Sequence, residues 1–363
     1  MSSTERTGLW STLRERGIVN GEPPPPGEAR TPWFVRALAA IGGWIGALFL
    51  LGFVGTAFSF LFKNGTGAFV VGALVCAGAI AILRAAPRND FVRQFGFAVS
   101  LAGQALLCFG TSELFGNSTR ALGLYLALQQ LLLFVLVPDF THRVWTSWSA
   151  GVAASVAMLG PITSAFIPAL LTGVFAAVAL HELDSVRALR RIRPALYGLA
   201  LATILSAVFH HETAELFSRP DDAASAPSSW TLWLKSLALT AVLLWTANVL
   251  LRHNRIPPRS RTGLLAISGA IALGLLSLQA PGVAPAVAIL ILGFAHANRV
   301  LAGLGLLSLI GYLIYFYYSL HATLLEKSAL LAVSGITLLA ARFLFRAPAP
   351  ASTTLSQGDT PHA

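Results

Sequence analysis

Apolar runs, each near the length of a membrane-crossing helix, recur along this chain with short arginine-bearing loops between them. A helix needs about 20 mostly apolar residues to cross a bilayer, and in lipid its backbone must satisfy its own hydrogen bonds. The pattern therefore predicts an all-α integral membrane protein, a bundle of about 12 transmembrane helices. The runs fall at 34–62, 67–83, 95–114, 121–137, 145–159, 164–180, 194–209, 230–251, 263–279, 283–297, 300–318 and 328–345. Those at 145–159 and 283–297 are short for a full crossing, and Gly160-Pro161 and Pro281-Gly282 break the chain beside them.

Composition agrees where it bears on class. Only 11% of the residues are charged, against roughly 25% in soluble domains, which argues against a water-facing enzyme. A net charge of +10 would suggest nucleic acid as the partner of a soluble protein. Here the question is which side of the membrane the arginines occupy, and no nucleic-acid partner is expected. Placing the N-terminus in the cytoplasm and alternating the loops puts the 25 basic residues on the inner side, with five exceptions: Lys63, Arg120, Arg219, Lys235 and Lys327. That asymmetry predicts both termini inside. Lys235, near an outer helix end, is expected to snorkel to water.

Three regions follow. Residues 1–33 form a polar cytoplasmic segment with the spacer Pro23 to Pro26, and residues 8–19 carry a modest apolar face for the inner leaflet. Residues 34–346 are the transmembrane domain, and 347–363 a disordered cytoplasmic tail rich in Pro, Ser and Thr. No early apolar run precedes a small-residue cleavage site, so no removable signal peptide is expected. His142-Arg143-Val144 and Asn298-Arg299-Val300 occupy matching loops of two six-helix halves. A 6 + 6 duplication explains that match, as in transporters with related halves, and so does the charge rhythm of any even-numbered bundle.

Ionisable groups within a span are functional candidates by default, because charge in lipid is costly. Here no Asp, Glu, Lys or Arg falls near the middle of any run, which counts against a proton-driven pump. The mid-membrane polar residues are Gln104, Gln129, Gln130 and Asn248, amides that either join helices or bind a solute. Gly42 and Gly46 form a small-xxx-small pair suited to close helix packing.

The densest polar cluster is His210, His211, Glu212 and Glu215, at the outer end of the seventh run. On a helix His211 and Glu215 share a face, resembling a zinc-protease helix whose second histidine has become glutamate. Without an identifiable third ligand, a solvated helix end explains the cluster better; no cofactor is expected. A second outer cluster comprises Tyr317, Tyr318, His321, Thr323, Glu326, Lys327 and Ser328, between the last two runs. The tyrosines suit the headgroup level.

Several stretches carry a resemblance: Gly293-Phe-Ala-His-Ala-Asn-Arg-Val-Leu301, Tyr317-Tyr318-Ser-Leu320, Thr323-Leu-Leu-Glu-Lys-Ser328, Ser334-Gly335, and Pro32-Trp33 with Gly43-Trp44. Together they resemble a bacterial membrane-protein family, domain of unknown function 4401. The resemblance implies a multi-pass protein of the bacterial inner membrane with no assigned activity. It also implies association with a second multi-spanning protein and a small membrane-anchored protein bearing a Gly-Asp-Tyr-x-x-Leu-x-Tyr motif. It adds weight to Tyr317, Tyr318, Thr323, Lys327 and Ser328 as an outer-face element.

The expected function is that of a membrane-complex subunit docking an externally facing partner through that outer rim. The alternative is a secondary transporter or flippase for a small or lipidic solute. An intramembrane enzyme ranks third, because its only candidate residues are the outer His–Glu cluster.

Overall fold

In a computed structural model the described residues are 3–17, 32–57, 64–85, 89–116, 118–160, 163–184, 189–217, 229–278, 280–319 and 328. They form twelve α-helices, and no strand occurs among them. In order these are α1 (Ser3–Glu15), α2 (Trp33–Ala57), α3 (Gly65–Ala85), α4 (Asp90–Phe115), α5 (Thr119–Leu136) and α6 (Phe140–Ala157). There follow α7 (Ile167–Asp184), α8 (Leu189–Phe217), α9 (Ser229–His253), α10 (Arg261–Leu276), α11 (Val283–Ala295) and α12 (Arg299–Ser319). Eleven of the expected apolar segments are thus helices, α2 to α12. The twelfth, 328–345, lies outside the described residues apart from Ser328. Helix α1 begins at Ser3, ahead of the expected 8–19. Six helices are long and apolar enough to cross a membrane by length and composition.

Local signals explain several helix starts. Asn89 caps α4 by accepting from the Val92 amide at 3.2 Å, and Ser260 caps α10 by accepting from Gly263 at 3.1 Å. Asp139 caps α6 through the His142 amide at 3.0 Å. That cap starts α6 at Phe140 rather than at the expected Trp145, and it converts His142-Arg143 from loop into helix.

Polarity is distributed inside out relative to a soluble protein. Phe49 is 78% exposed and Leu128 67%, whereas Gln104 is 6% exposed and His142 fully buried. Lipid tails solvate large apolar side chains as well as a core does, so small and polar residues gather between helices. Packing of α3 on α4 shows this directly. Gly96, Gly103 and Gly110 recur every seventh residue on α4 and face Leu83, Cys76 and Phe69 of α3; Gly72 lies against Gly103 and Leu107. The α2–α4 contact is closest at Gly43, where an added Cβ would stand 2.8 Å from the Phe91 carbonyl oxygen. Gly42 and Gly46, the expected pair, have ordinary clearance from the Phe91 and Phe95 rings.

A second core joins α7, α8, α11 and α12 through Phe175, Leu196, Ile289, Leu292 and Leu301. Loop contacts gather at one end of the bundle. The ends of α3 and α5 meet there through Arg84 and Leu136, and the starts of α4 and α6 through Arg93 and Asp139. The end of α7 meets the start of α8 through Glu182 and Arg193, and the start of α8 meets that of α12 through Tyr197 and Asn298. This end collects four of the loops that the charge pattern assigned to one side. Lys235 departs from expectation: the residue is 6% exposed, its stem enclosed rather than laid along the surface.

Candidate functional site

The polar residues of α4, α5 and α6 meet in one seam. At the arginine-rich end three arginines hold the α5–α6 turn. Arg84 donates to the Leu136 carbonyl at 2.7 Å and Arg143 to that of Phe134 at 3.2 Å. These carbonyls close α5, where the helix leaves acceptors without intrahelical donors and the dipole favours cations. Arg93 donates to Asp139 Oδ2 at 2.7 Å, and the other oxygen of Asp139 caps α6. Asp139→Ala is expected to cost about 1–2 kcal/mol, because both roles vanish together. Asp139→Asn keeps the capping oxygen and should cost clearly less in thermal unfolding in detergent. Equal losses for the two variants would transfer the effect from the cap to the ion pair.

One turn further in, His142 Nε2 lies 2.9 Å from Ser100 Oγ. Ser100 Oγ also accepts from Gln104 Nε2 at 3.0 Å. Gln104 Oε1 accepts from both Gln130 Nε2 at 2.9 Å and Trp145 Nε1 at 3.1 Å. Ser100 Oγ can accept from Gln104 and still share a hydrogen bond with His142 Nε2 in either direction; the other ring nitrogen of His142 is Nδ1. That nitrogen is buried and faces no hydrogen-bond partner. Aromatic rings wall this stretch: Phe97 meets His142 edge-on at 6.0 Å and Trp145 at 6.3 Å, and Trp44 meets Phe97 at 5.9 Å.

Toward the opposite end Gln129 is buried with neither amide atom bonded, and Gln130 Oε1 is likewise unpaired. Tyr125 precedes Gln129 by four residues and shares its helix face; its hydroxyl meets the side chain of buried Thr111. Polar groups thus follow one another along the α4–α5–α6 interface, from the Arg93–Asp139 pair to Thr111.

Of the predicted amides, Gln104, Gln129 and Gln130 belong to this seam, and Asn248 does not. Asn248 is exposed on α9 and accepts from Arg252 Nε at 3.1 Å, one turn before the helix end. His210, His211, Glu212 and Glu215 lie on the last turns of α8, and their side chains are outside the described residues. Among the described residues no three His, Cys, Asp or Glu side chains gather as a metal site. Of the expected outer rim, Tyr317 and Tyr318 form an edge-on pair at 5.6 Å, with Tyr318 78% exposed, and Ser328 is exposed. His321, Thr323, Glu326 and Lys327 lie outside the described residues.

Sequence reasoning missed His142, Ser100, Asp139 and Arg93. The available signals were Pro138-Asp139 as a helix start and the i, i+4 spacing of Ser100 and Gln104. It also missed a second polar cluster at the arginine-rich end. There His296 Nε2 sits 2.8 Å from the Ala179 carbonyl and 4.0 Å from Glu182, which accepts from Arg193 at 3.1 Å. Asn298 bonds the Tyr197 hydroxyl at 3.0 Å and caps α12 at Leu301. The stretch 293–301 therefore fastens α11 and α12 to α7 and α8.

Among the described residues the chain is an all-helical bundle with six helices long and apolar enough to cross a membrane, an architecture consistent with a membrane protein. Over residues 32–347 the chain matches the family model described as Domain of unknown function (DUF4401), and it belongs to that family. No curated protein and no solved structure matches it.

Proposed function

We propose that the protein carries a small uncharged hydrogen-bonding solute across the membrane along the α4–α5–α6 seam. In this reading twelve helices span the bacterial inner membrane with both termini in the cytoplasm. One observation carries the proposal: Gln129 Nε2 and Oε1, Gln130 Oε1 and His142 Nδ1 are enclosed without partners, beside side chains that are hydrogen-bonded to one another. An enclosed polar group without a partner costs free energy, and in lipid no bulk water relieves it. A passing solute that donates and accepts hydrogen bonds would satisfy these atoms in turn. The paired Arg93 and Asp139 at the inner mouth leave the seam without a fixed charge in its middle, which suits a neutral solute. The partner-docking reading rests on the rim from Tyr317 to Ser328, most of which lies outside the described residues; the seam is described throughout.

Glycerol and water serve as probes. Proteoliposomes containing the full chain should shrink and reswell in a glycerol gradient faster than protein-free vesicles. Gln129→Leu or Gln130→Leu should reduce that excess to about a tenth, the kinetic equivalent of roughly one hydrogen bond in the barrier. Wild-type vesicles no more permeable to either probe than empty ones would refute the proposal.

A further inference from the structure

A second feature lies away from the seam, between α9, α10 and α11. These helices enclose a half-open cavity of about 310 Å³ lined by Leu243, Leu250, Leu265, Gly269 and Leu273. It is about twice the roughly 150 Å³ that accommodates a benzene ring in an engineered protein cavity. Its walls offer almost nothing to a polar ligand. The Thr246 hydroxyl is spent on the Val242 carbonyl of its own helix at 2.8 Å, and the Asn254 amide donates to the Leu250 carbonyl at 2.8 Å.

The lining also reaches the turn from α9 to α10, through Leu251, Asn254 and Ile256. That turn closes α9 as a Schellman motif, with the Ile256 amide bonding to the Leu251 carbonyl at 2.9 Å and the Arg255 amide to Arg252 at 3.0 Å. The residue between must be left-handed, a place usually taken by glycine, yet here it is Arg255 at φ 54°. Arg252, Arg255, Arg259 and Arg261 are all exposed on this turn. Arg252 is oriented by Asn248. No aspartate or glutamate occurs in the sequence between Asp222 and Glu326, so the whole segment forming the cavity brings no carboxylate to this cationic turn beside it.

We propose that this cavity with the arginine turn beside it is a binding site for an anionic phospholipid of the inner leaflet. One acyl chain enters between α9, α10 and α11, and the headgroup phosphate lies against Arg255 and Arg259. Charge complementarity selects the headgroup and the apolar wall selects the chain. The site does not depend on transport along the seam.

The test uses the full chain, delipidated in mild detergent and titrated with phosphatidylglycerol or phosphatidylethanolamine under native mass spectrometry. Phosphatidylglycerol should be retained in preference. Arg255→Gln with Arg259→Gln should weaken that retention about 25-fold, near fivefold for each arginine at a membrane surface. Gly269→Leu should weaken binding of the lipid while the protein stays folded, because an added Cβ there has no atom within 4 Å. A phosphatidylglycerol bearing a photoreactive acyl chain should label α9, α10 or α11. Inorganic phosphate in excess should not displace the lipid.

Equal retention of the two lipids would overturn the proposal. Loss of binding in the arginine variant but not in Gly269→Leu would also overturn it, by reducing the site to headgroup adsorption. Displacement by inorganic phosphate alone would do the same. Retention of neither lipid by the wild type would overturn it as well.

Discussion

Gly110→Leu is expected to separate α3 from α4 and leave little monodisperse protein in detergent. A Cβ at this position would stand 2.6 Å from the Phe69 nitrogen and 2.7 Å from the Gly65 carbonyl oxygen. Both are backbone atoms, so no side-chain rotation relieves the clash, and α3 must move as a whole. Between membrane helices close packing supplies much of the association energy, because lipid is as apolar as leucine. The single methyl of Gly110→Ala should cost about 1–3 kcal/mol by overpacking. Leucine adds bulk that cannot fit along a seam where Gly72 and Gly103 already bring the backbones together. Gly78→Leu, on the same α3, is the control: nothing lies within 4 Å of its Cβ. Fluorescence-detected size exclusion with a thermal ramp distinguishes the two variants. A Gly110→Leu protein that elutes and melts like wild type would show that the α3–α4 contact is dispensable.

The second large effect is expected at Gln104. Gln104→Met keeps the volume and removes the donor to Ser100 and the acceptor shared by Gln130 and Trp145. Two of these bonds cross between helices, and interhelical hydrogen bonds in membranes average about 0.6 kcal/mol and reach about 1.7, so losing them predicts a loss of about 1–3 kcal/mol. The upper part of that range reflects the Gln130 amide and the Trp145 indole, which would be left unpaired inside the bundle. Asn248→Leu should change stability by less than about 0.5 kcal/mol, because its side chain is exposed and its one partner among the described residues is Arg252 on the same helix. Unfolding titrations in mixed micelles compare the two. If Gln104→Met is neutral, the seam does not hold α4 to α5 and α6, and its polar residues answer to transport alone. Glycerol flux through the same variant then separates holding from carrying.

Helix content was legible from run length, and the gathering of loops at one end from the distribution of arginines. Helix starts were legible only in part. Pro138-Asp139 marks a cap, but Phe140 and three polar residues then precede an apolar stretch that alone is short, so His142 and Arg143 read as loop. The family resemblance pointed to Gly293–Leu301 before any contact was known. Its reason became clear once His296 and Asn298 were seen reaching α7 and α8.

What the sequence by itself determined is therefore the class of protein: apolar runs of fixed length between arginine loops admit only helices whose backbones are satisfied within each run. The tertiary structure alone decided which faces meet. In a soluble helix the apolar stripe announces the buried side, but here lipid and protein interior are equally apolar, and the pattern along α12 or α7 names no inward face. Whether Gln129 and Asn248 were interior or exposed, and whether Gly110 or Gly78 met a backbone, depended on how neighbouring helices were rotated and spaced. Close packing and hydrogen-bond geometry between helices set that rotation, and both are properties of pairs of segments rather than of any one of them.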